Sequence, residues 1–179
     1  MNDHRQTRIN NKLILLLIGT SLLACNFLFP QTQQSTPEST DFQDPVPTGF
    51  SIVRLHPKDG ELQTLLASEA QKAAALGRLP VVEFDATWCP PCQAIDRAIK
   101  ANNELILNAY AETYIIKLDV DEWGWGDSRL HDFQFEAIPV YFKLDAEGKQ
   151  TGGVIDGGAW GEDIPENIAP VMDRFFHGD

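Results

Sequence analysis

Two cysteines, Cys89 and Cys92, follow closely on the apolar run 81–84 and stand at the start of a stretch with helical spacing. No other feature constrains the fold as much. A short apolar run of this kind reads as a buried strand. Pro90 suits the first turn of a helix, where its missing N–H costs little. The chain must therefore lead a strand's end into a helix's start with both sulfurs at the joint. Unpaired N–H groups and the positive end of the helix dipole favour a thiolate there, and Cys89 is expected to stay exposed on the first turn. Cys92 is one turn further in, placed to attack a mixed disulfide formed at Cys89, and its nearness makes that second step intramolecular. Two other readings of the pair stay open. A zinc site needs four ligands, but the pair supplies two and His56, His131 and His177 show no paired spacing, so no metal is expected. A purely structural disulfide is the other, although so short a loop gains little stability by closing.

Around this joint the pattern alternates. Strands are expected over 50–55, 81–84, 114–120, 140–144 and 151–156, and helices over 60–76 (capped by Asp59 and ended by Gly77), 90–110, 127–134 and 164–176. The order β-α-β-α-β-α-β-β-α implies an α/β fold with a central mixed sheet flanked by helices. The chain has 179 residues, 43% apolar and 22% charged, which suits one globular domain. Asp and Glu number 26 against 14 Lys and Arg, a formal net charge of −12, so a nucleic-acid partner is not expected. With only three cysteines it is no disulfide-rich scaffold.

The amino end has a different composition. Arg5, Arg8 and Lys12 precede the apolar run 13–23, which as a helix would span roughly 16 Å, about half of a bilayer's hydrocarbon core. This is the pattern of a secretory signal. Leu22-Leu23-Ala24-Cys25 resembles a bacterial lipobox. That resemblance implies cleavage before Cys25, lipidation of its sulfur, and a protein held on a bacterial membrane with its body outside the cytoplasm. An uncleaved signal anchor is the alternative. Residues 25–48, rich in Gln, Ser, Thr and Pro, read as a flexible tether. The expected organisation is therefore a signal over 1–24, a tether over 25–48 and a folded domain over 49–179.

The stretch Val81-Val82-Glu83-Phe84-Asp85-Ala86-Thr87-Trp88-Cys89-Pro90-Pro91-Cys92 resembles the active-site strand and helix of thioredoxin-fold oxidoreductases. Its Ala-Thr-Trp-Cys-Pro-Pro-Cys part is similar to that of the exported, membrane-anchored members that reduce disulfides. Lys117-Leu118-Asp119-Val120-Asp121 resembles the family's third strand, Ala137-Ile138-Pro139-Val140 its cis-proline loop, Gly148 its last hairpin turn and Gly157-Gly158 the loop before its last helix. The resemblance runs over 50–179 in the right order and implies a thioredoxin fold.

It also implies roles. Cys89 would attack and Cys92 resolve. Ile138-Pro139 would be cis, with the Ile138 backbone pairing to an extended substrate strand, and Trp88, Pro90 and Pro91 would border the same groove. Glu83, buried in its strand with a raised pKa, would take the proton of Cys92. Lys117 would be its partner, the alternative being a plain structural Glu–Lys pair. The chain departs from the family at Asp85, where a tryptophan is usual, and at Gln93, where many relatives carry a basic residue. Both changes, with Pro91 before Cys92, point toward a reductant, because a strong oxidant needs a stabilised thiolate.

Trp123, Trp125 and Trp160 lie on loops near the same end of the sheet; they either form a docking lip or simply pack against the domain. The expected protein is thus an exported thiol–disulfide oxidoreductase. Its partners would be protein thiols and disulfides and a membrane electron donor, it would need no cofactor beyond its cysteine pair, and it would be monomeric. The alternative is a binding module of the same fold with Cys89–Cys92 as a staple.

Overall fold

The computed structural model describes residues 49–178. The expected signal, the lipidation at Cys25 and the tether lie outside these residues. Five strands form one mixed sheet: β1 Ser51–Leu55, β2 Leu79–Asp85, β3 Thr113–Asp119, β4 Val140–Leu144 and β5 Gln150–Asp156, in the spatial order β1-β3-β2-β4-β5. β3 pairs in parallel with β1 and β2, while β4 is antiparallel to both β2 and β5. The helices are α1 Leu62–Ala75, α2 Pro90–Lys100, α3 Glu104–Ala109, α4 Val120–Trp123 and α5 Pro165–His177.

The pleat sorts the side chains of β2 by alternation. Val82 and Phe84 join one apolar cluster with Leu62, Leu66 and Ala73 of α1, Ile116, Leu118 and Phe142. Val81 joins the other, with Ile95 of α2, Ile106 of α3 and Ile168, Met172 and Phe176 of α5. Glu83 and Asp85 share the period of Val81, and so are carried beneath α2.

The sequence pattern located every strand to within two residues; the helix ends differ more. α1 starts at Leu62 because Glu61, not Asp59, caps it, accepting from the backbone N–H groups of Gln63 (2.9 Å) and Thr64 (2.7 Å). Asp59 instead accepts from the His56 N–H and closes a 3-10 turn. The single helix expected over 90–110 is two. Asn102 takes a positive φ of 53°, and Asn103 recaps the chain by accepting from the Ile106 N–H at 3.2 Å. Helical apolar spacing continues across this break, so periodicity alone did not register it. The helix expected over 127–134 is only a 3-10 turn, Ser128–Leu130. One short helix was not expected: α4 begins where β3 ends, with Asp119 accepting from the Asp121 N–H at 2.8 Å.

Two glycines are required by close approach. Gly148, at φ 75° in the β4–β5 turn, presses on α1: a Cβ there would sit 2.5 Å from the Ala67 backbone N. A Cβ on Gly157 would meet the Pro139 ring at 3.1 Å, and the Gly157 N–H donates to the Pro139 carbonyl at 2.9 Å. These contacts bind the last hairpin and the loop before α5 to the rest of the domain.

Candidate active site

Cys89 is the N-cap of α2 and is disulfide-bonded to Cys92, with the two Cα atoms 5.3 Å apart. The Cys92 N–H points at Cys89 Sγ at 3.3 Å, so a thiolate at that sulfur would meet a backbone donor as well as the helix dipole. The exposure expected for Cys89 is not found. Only 1% of either cysteine reaches solvent in the disulfide form, and both belong to the apolar cluster that contains Phe84 and Trp123. With its sulfur turned inward to Cys92, Cys89 packs against the core rather than standing on the helix tip.

Around the pair, Trp88 is 55% exposed and its Nε1–H donates to Asp121 Oδ2 at 2.8 Å. Pro90 is exposed, Pro91 and Ile138 are half-buried and Pro139 is buried. The Ile138–Pro139 bond is cis, as the resemblance implied. Gln93, the residue after the pair, donates from Nε2 to the Thr87 carbonyl, closing the loop before α2.

Glu83 is 2% exposed and stands in register between Lys117 on β3 and Tyr141 on β4. Burial pushes its carboxyl up to about 7, against the pull of the Lys117 charge; Asp85 and Asp96 add to the rise. The expected Lys117 partnership is present but shared. Lys117 Nζ lies 3.2 Å from Glu83 Oε1, 3.0 Å from Asp85 Oδ2 and 2.9 Å from Asp96 Oδ1. Its hydrogen bond goes to Asp96, and Glu83 Oε1 is left with none. Burial alone would lower the Lys117 ammonium; Glu83, Asp85 and Asp96 outweigh that and hold it raised. Behind Glu83, the Tyr110 and Tyr141 hydroxyls are 3.0 Å apart, and burial raises both phenols.

The sequence did not single out Arg54, Asp96, Tyr110 or Tyr141. Asp96 carried a signal, being four residues after Cys92 and so on the same face of α2. Arg54 carried none, since only the β1–β3–β2 order sets it opposite Asp85, with Nη1 and Nη2 donating to the two carboxylate oxygens at 2.9 and 2.7 Å. This pairing changes the expected effect of Asp85. A carboxylate that forks with Arg54 and also meets Lys117 is not a free repelling charge beside Cys89. Of the loop tryptophans, Trp123 is buried and donates to the Leu55 carbonyl at 3.0 Å. Trp160 is also buried, donating to Asp163 at 3.0 Å. Trp125 is 45% exposed and rests against Phe135, the ring centres 5.7 Å apart. Packing accounts for the first two. Among the described residues, no cluster of three or more His, Cys, Asp or Glu side chains is arranged to hold a metal.

A cysteine pair opening a helix on a five-stranded mixed sheet, with a cis-proline just before β4, is the architecture of a thiol–disulfide oxidoreductase. Comparison with known proteins agrees. The thioredoxin family model matches residues 65–169, so the chain belongs to the thioredoxin family. Thioredoxin-1 of Saccharomyces cerevisiae is 45% identical over 89 residues, covering 50% of this chain and 79% of the relative. Thioredoxin H4 of Arabidopsis thaliana is 32% identical over 102 residues, covering 56% of this chain and 76% of the relative. The crystal structure of the reduced Schistosoma mansoni thioredoxin pre-protein aligns over 70% of this chain and 98% of its own, at 23% identity and a TM-score of 0.43. Members of the family act on protein disulfides and need no cofactor beyond the cysteine pair.

Proposed function

We propose that this thioredoxin-family oxidoreductase works outside the cytoplasm, lipid-anchored through Cys25 to a bacterial membrane, as a reductant of protein disulfides. In the reduced protein, the Cys89 thiolate attacks one sulfur of a client disulfide, forming a mixed disulfide and releasing one client thiolate. Cys92 then gives its proton to Glu83 and attacks Cys89 Sγ. That closes Cys89–Cys92, releases the second client thiolate and moves two electrons to the client. A membrane electron donor restores the dithiol.

One observation carries the reading: a cysteine pair caps α2, and beneath that helix lies a buried carboxyl with an unbonded oxygen and a proton affinity near neutrality. A general base works best when its pKa lies near the operating pH. The reductant assignment is supported by Gln93, which brings no cation to the thiolate, and by Pro91. The export and anchor are supported by the basic start, the apolar run 13–23 and the Leu22–Cys25 pattern. Burial of both sulfurs favours the second reading, a binding module with a stapled disulfide.

Equilibration of the protein with glutathione buffers separates the readings. A potential near ~−270 mV or below supports the reductant, one near ~−120 mV overturns the direction, and no exchange at all leaves the staple. Labelling with a fatty-acid analogue, lost in Cys25→Ala, tests the anchor.

A further inference from the structure

The Glu83 carboxyl is surrounded by more charge than a simple acid–lysine pair would supply. β3 brings Lys117, β2 brings Asp85, α2 brings Asp96, and β1 brings Arg54 through Asp85. β4 brings Tyr141, with Tyr110 behind it. Three carboxylates therefore converge on one ammonium, with one guanidinium taking part of the load on Asp85. The ammonium is not divided evenly. Its hydrogen bond runs to Asp96 at 2.9 Å, it sits 3.0 Å from Asp85, and at 3.2 Å it faces Glu83 Oε1 without hydrogen-bonding to it. Asp96 can exert this hold because it lies one helical turn beyond Cys92, on the face of α2 turned to the sheet. Its own side chain is 38% exposed, so one end of the network reaches water while Glu83 stays dry.

We propose that Asp96, with Asp85, is a positioning residue of the resolving step: the two aspartates share the Lys117 ammonium with Glu83, so that Lys117 holds Glu83 less tightly as a carboxylate and Glu83 can accept the Cys92 proton. A lysine fully committed to Glu83 would lock it as a carboxylate too weak to act as a base near pH 7. A Glu83 with no cation nearby would stay protonated and could not act as a base at all. Sharing the ammonium among three carboxylates leaves Glu83 between these limits. Removing either aspartate frees Lys117 for Glu83 and deletes a like charge, so both effects lower the proton affinity of Glu83. Asp85 adds a second effect, because its loss also releases the Arg54 charge into the same space.

This proposal rests on Glu83 being the base, and the two can fail separately. The test is the titration of the Glu83 carboxyl, followed by carbon NMR of glutamate-labelled protein in the oxidised, detergent-solubilised full chain. The wild type should titrate near 7. Asp96→Asn should lower that midpoint by at least about one pH unit, Asp85→Asn should lower it as well, and Asp96→Glu should restore it. The pH dependence of mixed-disulfide resolution should move with the midpoint. Because Asp96 is partly exposed, Asp96→Asn is expected to fold. An unmoved midpoint in both asparagine variants, with only a lower melting temperature, would make the aspartates structural and overturn the proposal. Normal resolution in Glu83→Gln would instead remove Glu83 as the base, whatever the aspartates do to its titration.

Discussion

The two faces of β2 are equally dry and chemically opposite. Phe84 and Glu83 are neighbours on one strand, exposed by 0% and 2%. Phe84 meets Phe135, Phe133 and Phe142 at ring-centre distances of 4.6, 5.2 and 6.0 Å, several of them tilted or edge-on, a favourable aromatic geometry. Glu83 meets an ammonium, two further carboxylates and a phenol. Burial on the first face stabilises the domain mainly through apolar contact. Burial on the second costs stability, since removing a charge from water is only partly offset by its partners. What that cost supplies is an acid whose proton affinity is near neutral. The same pleat that builds the core thus also builds the candidate base, while both cysteines join the apolar cluster of Phe84.

The largest effects should come from breaking either face. Lys117→Met leaves Glu83, Asp85 and Asp96 facing one another with only Arg54 to offset them, and is expected to cost about 3–5 kcal/mol in denaturant unfolding at pH 7. Phe84→Ala, the matching change on the apolar face, should cost about 3–5 kcal/mol. Unlike Lys117→Met, that cost should not vary with pH between 5 and 8, and the folded fraction should keep its pH profile. A loss that varied with pH would show that the faces are coupled.

Glu83→Gln sharpens the contrast. The folded pKa of Glu83 is raised, from 4.5 to about 7, so the folded state holds a proton that the unfolded chain gives up. Its favourable contribution is full below pH 4.5 and lost as pH rises through 7. Glu83→Gln should therefore gain stability relative to wild type between pH 5 and pH 8, by up to ~3 kcal/mol. At the same time it should slow mixed-disulfide resolution about 10²-fold, read by quenched-flow trapping.

The smallest effect is expected at a polar contact on the apolar side. Tyr114 donates to Glu69 at 2.6 Å, and Tyr114→Phe should cost about 1 kcal/mol while leaving the reduction potential unmoved.

Much of the fold could be read from the sequence because strands announce themselves locally. The apolar runs at 81–84 and 140–144 need no knowledge of their neighbours, and Pro90 and Gly148 mark a helix start and a tight turn by their own covalent constraints. The break at Asn102 was hidden because apolar spacing runs on through it, and only the cap at Asn103 distinguishes two helices from one. The 3-10 turn at Ser128–Leu130 passed for a helix for the converse reason: a few polar and apolar residues at helical spacing do not supply the tertiary cover that keeps a short helix formed.

The site divides in the same way. Cys89, Cys92 and the turn between them are local, fixed by spacing along a few residues, so the sequence alone determined that this chain carries a cysteine pair at a helix start, and the ordered motifs over 50–179 gave the class of chemistry. The exposure of Cys89 and the company of Glu83 are not local. Whether a sulfur is covered depends on what packs over the helix tip. Whether a carboxylate is repelled or paired depends on which strands lie side by side, as Arg54 opposite Asp85 shows. Only the tertiary structure decided those points, because burial and Coulomb interaction depend on distances through space, which the order of residues in the chain does not reveal.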